Sequence, residues 1–148
     1  MSARYILLVE DNPDDEELTT LSLRRNNLAV DIIVVRDGVE AIDFLFGQGP
    51  YAGRDLSHAP TVILLDLKLP KLDGLGVLQR IRADGRTKSL PVVVLTSSSQ
   101  DADVIASYNL GANSYVRKPV EFNAFVDAVS NLGLYWVLLN RTPPAYAM

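Results

Sequence analysis

The segment TVILLDLKLPKLDG, residues Thr61 to Gly74, decides the fold of this chain. Its first part, Val62–Leu65, is an apolar run of strand length without alternation of polar and apolar residues. Such runs are typical of parallel strands that are covered by helices on both faces. A carboxylate, Asp66, follows directly, before a turn that contains proline and glycine. The segment therefore predicts a parallel sheet with a charged group at the end of a buried strand.

Four more apolar runs of strand length alternate with amphipathic stretches. The runs are Tyr5–Val9, Val30–Val35, Pro91–Leu95 and Ser114–Val116. The predicted helices begin near Asn12 and Asp37, cover Gly74–Ala83 and Asp101–Asn109, and extend from after Pro119 to about Asn140. Right-handed crossovers place the helices of such an order on both faces of the sheet. We predict an α/β fold, a (βα)5 doubly wound, five-stranded parallel sheet with an extended C-terminal helix.

The first predicted helix has a clear start signal and an apolar stripe. Asn12 is placed to cap it, and Asp14–Asp15 fall in the first turn, where acidic side chains complement the helix dipole. Leu18, Leu21 and Leu28 recur near helical spacing, so we expect them on or near the buried side.

The composition indicates one globular domain over residues 1–148, with 48% hydrophobic and 22% charged residues. We place its core at about residues 4–132, with 133–148 as an extended helix and tail. A net charge of −4 argues against broad nucleic-acid or anionic-membrane binding, and the lack of cysteine excludes disulfides and thiolate metal sites. We find neither a signal peptide nor an apolar run of about 18 residues, and expect a cytoplasmic protein.

Polar side chains end four of the five predicted strands. Glu10 and Asp11 follow the first run, Asp66 the third, Thr96 the fourth and Lys118 the fifth. The carboxyl ends of parallel strands meet at one edge of a sheet, so we expect these side chains to lie together. Clustered carboxylates repel one another unless a cation neutralises them, and Mg²⁺ prefers carboxylate and water oxygens as ligands. The edge is predicted to bind Mg²⁺ and to support phosphoryl transfer to a carboxylate.

Each of these residues alone has an ordinary interpretation. Adjacent acids such as Glu10 and Asp11 are common on solvated turns, and an aspartate such as Asp66 is favoured at the start of a turn. Thr96 could simply end a strand, and Lys118 could be a surface lysine. It is their joint occurrence at the strand ends of one sheet that favours the functional interpretation.

Four short motifs surround these positions. They are LLVEDN with Glu10 and Asp11, ILLDLKLPKLDG with Asp66, VVVLTSSS with Thr96, and SYVRKPV with Tyr115, Lys118 and Pro119. Together they resemble the receiver domain of two-component response regulators, from Arg4 to about Leu132. The resemblance implies the flavodoxin-like fold of that family.

The resemblance also implies a role for each acidic residue. Asp66 is identified as the phosphoacceptor, Asp11 as a direct Mg²⁺ ligand, and Glu10 as its partner through a water molecule. Asp66 and the backbone carbonyl of Lys68 complete the expected metal site.

The residues around the phosphoryl group follow from the same resemblance. Thr96 is expected to bond one phosphoryl oxygen and to move toward it on activation, and Lys118 to pair with another. Tyr115 resembles the aromatic switch that turns inward when Thr96 moves. The bond between Lys118 and Pro119 is expected to be cis, a form that about one X-Pro bond in twenty adopts in folded proteins.

As a receiver, the chain is expected to take a phosphoryl group from a histidine kinase and to signal by protein–protein contact. It would catalyse only its own phosphorylation and dephosphorylation, without nucleic acid or membrane as a partner. A pseudo-receiver, which binds partners without phosphorylation, remains an alternative. A phosphohydrolase would want a second acid where Lys68 stands, and a flavin carrier would want a phosphate-binding loop where EDNPDDEE stands.

Two segments depart from the simplest receiver. Phe46–Pro60 is a long loop rich in glycine and proline, of a length that is often functional or mobile. It carries the only histidine, His58, which we interpret as a loop residue and not as a phosphohistidine. The extended fifth helix is apolar nearly all round, which indicates either an interface or a return onto the core.

We expect a homodimer through the fifth helix region. The predicted interface residues are Leu132, Tyr135, Trp136 and Leu139. The long loop and the extended helix both resemble single-domain response regulators that serve phytochrome-type histidine kinases. That resemblance implies such a kinase as the partner.

Overall fold

Five parallel strands form one sheet in the computed structural model, which describes residues 4–143. The strands are β1 (Tyr5–Val9), β2 (Asp31–Val35), β3 (Val62–Leu65), β4 (Val92–Thr96) and β5 (Ser114–Arg117). They pair in the order β2-β1-β3-β4-β5, with β3 at the centre, and every pairing is parallel. The predicted five-stranded parallel sheet is confirmed.

Helices connect the strands. They are α1 (Pro13–Arg24), α2 (Gly38–Phe46), α3 (Gly74–Ala83), α4 (Asp101–Asn109) and α5 (Phe122–Gly133), and α5 continues as a π-helical segment, Leu134–Leu139. A short 3-10 turn, Gly49–Tyr51, follows α2. The predicted (βα)5 order with an extended last helix is confirmed, while residues 144–148 of the predicted tail lie outside the described residues.

Each face of the sheet has its own apolar core. On one face, α2 and α3 pack through residues such as Ile42, Leu45 and Leu78. On the other face, α1 and α5 contact each other and bury Leu23 and Phe125. Every residue of β1, β3 and β4 is buried, because helices cover both sides of these strands. The uninterrupted apolar runs in the sequence follow from that arrangement.

Helix α1 starts as predicted, but its buried side differs. The Asn12 side chain accepts hydrogen bonds from the backbone N–H groups of Asp14 at 2.9 Å and Asp15 at 3.1 Å. The prediction for Leu21 was wrong, since 60% of this residue is exposed. The buried residues of α1 are Thr19, Ser22 and Leu23. Small polar side chains let α1 lie close to α5, where the Ser130 hydroxyl donates to the Ser22 carbonyl at 3.0 Å.

The π-helical end of the last helix returns partly onto the core. Trp136 and Val137 are buried there, and Leu132 packs partly buried against the same core. Trp136 therefore belongs to the interior of its own chain and not to the exposed surface that we expected. Tyr135 and Leu139 do lie on the surface. The physical reason is that this helix is apolar on nearly all sides, and one of these sides, which carries Trp136 and Val137, packs against the core on the sheet.

The helix over Phe122–Leu139 is long and apolar enough, by length and composition, to cross a membrane. Its mean hydropathy is 1.3 over 18 residues. We expected no such run, and polar residues such as Asp127 interrupt it. One side packs on the sheet together with α1, and 33% of the window is buried. Buried core helices of soluble proteins meet the same criterion of length and mean hydropathy.

One arginine anchors the long Phe46–Pro60 loop. The Arg54 guanidinium lies 4.1 Å from the centroid of the Phe44 ring and donates to the Phe44 carbonyl at 2.7 Å. It also donates to the His58 carbonyl at 3.1 Å, and the Tyr5 hydroxyl donates to that carbonyl at 2.8 Å. These contacts fix the course of the loop beside the amino-terminal end of β1.

Candidate functional site

Four of the predicted strand-end residues meet at one edge of the sheet. Glu10 follows β1, Asp66 follows β3, Thr96 ends β4 and Lys118 follows β5. All four are buried, with 0% to 7% of each residue exposed. Buried charges need partners, because a charge without one is costly to remove from water. The cluster itself supplies these partners.

Lys118 is the cation at the centre of the cluster. Its Nζ donates to Glu10 Oε1 at 2.6 Å, to Asp15 Oδ2 at 2.9 Å and to Asp66 Oδ2 at 3.0 Å. An ammonium has three N–H donors, so these contacts use all of them. The Lys118 backbone N–H donates to the Thr96 carbonyl at 2.6 Å, which ties the end of β5 to β4.

The two carboxylate oxygens of Asp66 have different partners. Oδ1 accepts from the Thr96 hydroxyl at 2.9 Å and from the Lys68 backbone N–H at 3.2 Å. Oδ2 accepts from Lys118. The carboxylate is therefore oriented by β4, by its own loop and by the end of β5.

Burial and charge shift the protonation of the cluster. Burial raises the pKa of Glu10 to about 7, against the opposing effect of the Lys118 ammonium. Burial alone would lower the pKa of Lys118, but hydrogen bonds to Glu10 and Asp15 and the charge of Asp66 raise that pKa above its ordinary value. Lys118 is thus held as a cation among carboxylates that outnumber it.

Three carboxylates lie close enough to share a metal ion. Oxygen atoms of Glu10, Asp11 and Asp66 lie within 4.8 Å of one another. Asp11 is exposed, which leaves the group open to an ion that keeps water ligands. An all-oxygen donor set suits a hard ion such as Mg²⁺ and not a soft one. The excess of negative charge in the cluster likewise fits a divalent cation.

Close contacts at two glycines fix the loop after Asp66. A Cβ at Gly74, the first residue of α3, would lie 2.2 Å from the Asp66 carbonyl oxygen. A Cβ at Gly38, the first residue of α2, would lie 1.8 Å from the Leu72 carbonyl oxygen. No side chain fits at such distances. Glycine therefore lets α2 and α3 approach the loop that carries Lys68.

The loop after Thr96 is tied to both neighbouring elements. The Ser98 hydroxyl donates to the Asp103 carboxylate in α4, and the Tyr115 hydroxyl on β5 donates to the Ser98 carbonyl at 3.0 Å. Tyr115 is partly buried against the core. A displacement of Thr96 would therefore change the contacts that Ser98 makes with α4 and β5.

The Lys118–Pro119 bond is trans, so the predicted cis form was wrong. No cis peptide bond is present in residues 4–143. The trans form is favoured by about 0.5–1 kcal/mol even before proline. It leaves the Lys118 ammonium in contact with all three of its carboxylates, so these contacts do not require the cis form.

Asp15 is a residue of this cluster that the sequence interpretation missed. We assigned it to the helix dipole because it falls in the first turn of α1. Its carboxylate also contacts Lys118, 103 residues away in the sequence. The only available signal was its position four residues, about one helical turn, after Asp11.

Comparison with known proteins identifies relatives that match nearly the whole chain. The response regulator receiver domain family matches residues 6–130. Response regulator Rcp1 from Synechocystis sp. is 39% identical over 142 residues, which cover 96% of this chain and 95% of Rcp1.

Solved structures agree with the sequence comparison. The Mn²⁺-bound form of response regulator Rcp1 has a TM-score of 0.88 and 38% identity, with 95% of this chain and 99% of that chain covered. The phosphorylated cyanobacterial phytochrome response regulator RcpA has a TM-score of 0.89 and 36% identity, covering 96% and 99%. The bacteriophytochrome response regulator RtBRR has a TM-score of 0.76 and 51% identity, covering 97% and 86%.

Proposed function

Because the chain belongs to the response regulator receiver domain family, we propose that Asp66 accepts a phosphoryl group from a phosphohistidine of a histidine kinase. The observation that carries this proposal is the pair of side-chain donors on its carboxylate. Thr96 donates to one oxygen and Lys118 to the other. A phosphoryl group bonded to Asp66 would bring its own oxygens beside these donors.

The transfer exchanges one bond for another. An Asp66 oxygen bonds to phosphorus while the bond from phosphorus to the donor imidazole breaks, and the electron pair of that bond stays on the imidazole. Lys118 and Thr96 offset the negative charge of the phosphoryl oxygens, and their effect is large because the site is buried. Hydrolysis later returns the carboxylate. The protein would thus catalyse only its own phosphorylation and dephosphorylation.

The proposed metal ligands are Glu10, Asp11, Asp66 and the backbone carbonyl of Lys68. We assign Asp11 as a direct ligand and Glu10 as a ligand through water, with Mg²⁺ as the ion. Support comes from the all-oxygen donor set and from the Mn²⁺-bound form of Rcp1, since both ions favour oxygen ligands. When bound, the ion supplies positive charge to the phosphoryl oxygens.

Thr96 and Tyr115 form the proposed switch. When a phosphoryl oxygen becomes the acceptor of the Thr96 hydroxyl, the loop that carries Ser98 moves with it. The bond from Tyr115 to the Ser98 carbonyl then changes, and the surface of α4, β5 and α5 changes with it. The signal would leave the protein by contact of that surface with another protein.

The proposed kinase is of the phytochrome type. RcpA is a cyanobacterial phytochrome response regulator, and RtBRR is a bacteriophytochrome response regulator. Each matches nearly the whole of this chain. We place the exchange between kinase and receiver in the cytoplasm.

A homodimer through the extended C-terminal helix is a further part of the proposal. Tyr135, Leu138 and Leu139 are exposed, beside the buried Trp136, and apolar groups clustered in this way are typical of interfaces. Light scattering after size exclusion tests it with Leu139→Asp and, as a control, Ile105→Asp on α4. A dimer that only the first substitution splits supports the proposal, and a monomeric wild type contradicts it.

Intact-mass spectrometry after incubation with acetyl phosphate and Mg²⁺ tests the phosphoacceptor. We expect the wild type to gain the mass of one phosphoryl group and Asp66→Asn to gain none. A gain that persists in Asp66→Asn would contradict the assignment. If the wild type gains no mass from acetyl phosphate or from a phosphorylated kinase, the chain is a pseudo-receiver.

Lys68 and Ser98 stand two residues after Asp66 and Thr96, and we propose that they set the lifetime of the phosphoryl group. Lys68 is exposed beside the carboxylate, and the Ser98 hydroxyl is held by Asp103. The decay of the phosphoryl mass in Lys68→Ala and Ser98→Ala measures the effect. An unchanged decay rate in both variants would contradict the proposal.

A further inference from the structure

Carboxylates occupy all three N–H donors of Lys118. Two of these carboxylates, Glu10 and Asp66, belong to the group that can hold a metal ion. The third, Asp15, does not belong to that group and lies 2.9 Å from Nζ. Phosphorylation removes the charge of the Asp66 carboxylate, so the phosphoryl group can take over the donor that Asp66 holds. A second contact between the phosphoryl group and Lys118 requires Glu10 or Asp15 to give up a donor as well.

Asp15 differs from the other two carboxylates in its surroundings. It stands in the first turn of α1 and not at the end of a strand. Its side chain is 35% exposed, against 2% for Glu10 and 9% for Asp66. A carboxylate with access to water loses little when it leaves a cation, whereas a buried one is left unpaired at high cost. Of the two carboxylates that keep their charge when Asp66 is phosphorylated, Asp15 is thus the one that Lys118 releases more easily.

We propose that Asp15 is a positioning residue that competes with the phosphoryl group for Lys118 and thereby limits how readily Asp66 is phosphorylated. The inference rests on the proposed function, because it requires Lys118 to pair with a phosphoryl oxygen. In the resting protein Asp15 holds the third donor of the ammonium. On phosphorylation the phosphoryl oxygen takes that donor, and the Asp15 carboxylate turns to water.

The charge of Asp15 acts in the same direction as its hydrogen bond. Glu10, Asp15 and Asp66 contact the ammonium, and a fourth carboxylate, Asp11, lies within 4.8 Å of Glu10 and Asp66. Phosphoryl donors and their analogues are anions, so each carboxylate beyond those that hold the metal repels them. Asparagine in place of Asp15 keeps the shape of the side chain and removes its charge.

Beryllofluoride binding in the presence of Mg²⁺, measured by isothermal titration calorimetry, tests the competition. Asp14→Asn is the matched control for Asp15→Asn. Asp14 lies in the same first turn, and its carboxylate makes none of the ion pairs found in residues 4–143. Both variants lose one negative charge from the helix start, so their difference isolates the contact with Lys118. We expect D15N to bind beryllofluoride about two- to fivefold more tightly than D14N.

Equal affinities of the two variants, or weaker binding by D15N, would overturn the inference. A role of Asp15 confined to the start of α1 would lower the Tm of both variants and leave their affinities alike. Lys118→Ala, added to each variant, should remove the difference between them. A difference that persists without Lys118 would also overturn the inference.

The contact itself is tested without phosphoryl chemistry by NMR of the Lys118 ammonium. D15N should shift the Nζ resonance and speed its hydrogen exchange with water, whereas D14N should do neither. If the wild type binds no beryllofluoride and gains no phosphoryl mass, the proposed function fails and the inference fails with it. If the wild type is phosphorylated but the two variants behave alike, the inference alone fails.

Discussion

Two cations organise opposite ends of the sheet, and they are held by different kinds of partner. At the carboxyl ends of the strands, Lys118 contacts three carboxylates. Near the amino-terminal end of β1, Arg54 contacts the carbonyls of Phe44 and His58 and the face of the Phe44 ring. One cation sits among charges, and the other among neutral groups.

The difference separates a reactive end from an anchored end. Carboxylates bind metal ions as well as ammonium groups, and an ammonium binds phosphoryl oxygens as well as carboxylates. Each partner of Lys118 can therefore be exchanged for another. Arg54 has a planar fork with fixed directions, and its partners are backbone carbonyls and a ring, which are held in place by the chain itself. The contacts of Arg54 hold a loop in place, whereas those of Lys118 are ready to change.

The largest effect is expected from Lys118→Ala. Loss of a preorganised charge in a buried site should lower the rate of phosphorylation by acetyl phosphate by about 10²–10³-fold. Intact-mass time courses measure it, with Arg54→Leu as the control at the other end. A rate that stays within about tenfold of the wild type would show that the ammonium is not the main source of charge compensation.

Arg54→Leu should reduce stability and leave the chemistry unchanged. Hydrogen bonds from a charged donor contribute about 1.5–3 kcal/mol each, and Arg54 makes two to carbonyls, so we expect the free energy of unfolding to fall by about 3–6 kcal/mol. Urea denaturation measures this. Arg86→Leu is the control, because Arg86 also stacks on a ring, at 4.9 Å from Phe46, but is 58% exposed. Equal losses in both variants would refute the anchor role of Arg54.

Gly38→Ala should affect both stability and metal binding at the reactive end. The added methyl would meet the Leu72 carbonyl at 1.8 Å, which forces the loop after Asp66 to shift at a cost of about 1–3 kcal/mol. We expect weaker Mg²⁺ binding by calorimetry, because Lys68 moves with that loop. Gly85→Ala is the control, since a Cβ there has no heavy atom within 4 Å. Unchanged Mg²⁺ affinity in Gly38→Ala would show that the close contact at Gly38 does not position the proposed metal ligands.

The smallest effect is expected from Arg25→Ala, a cation that belongs to neither end. Its ion pair with Asp127 is 2.9 Å long, and both side chains are more than half exposed, at 56% and 66%. Such pairs contribute about 0.2–1 kcal/mol and weaken in salt. Urea denaturation at low and high ionic strength checks this. If the free energy of unfolding fell as much as in Arg54→Leu, solvent exposure would not explain why the two contacts differ in their contribution to stability.

The reactive end could be predicted from sequence because strand order alone brings it together. Parallel strands place their carboxyl ends at one edge, so Glu10, Asp66, Thr96 and Lys118 had to lie near one another once the strands were identified. The roles of these residues stay proposals until the phosphorylation experiments are done. Their proximity needed no knowledge of how the helices pack.

Features that depend on helix packing or on loops could not be predicted in this way. The contact of Asp15 with Lys118 requires the end of β5 to lie beside α1, which no local pattern encodes. The anchoring of a long loop by Arg54 depends on the course of that loop in space. The burial of Trp136 was one of two outcomes that an all-round apolar helix allows.

The central position of β3 in the sheet also bears on how readily the backbone at Asp66, the proposed phosphoacceptor, opens to water. This strand pairs with β1 and β4, and the Asp66 backbone N–H donates to the Val9 carbonyl at 3.2 Å. An amide at the end of a central strand exchanges with deuterium mainly when the whole domain unfolds, whereas loop amides exchange through local opening. We therefore expect the Asp66 amide to exchange with deuterium more slowly than the amides of the loop that carries Ser98. A phosphoryl group on Asp66 would thus be attached to a well-protected part of the sheet, and its effect would pass through the less protected loop of Ser98.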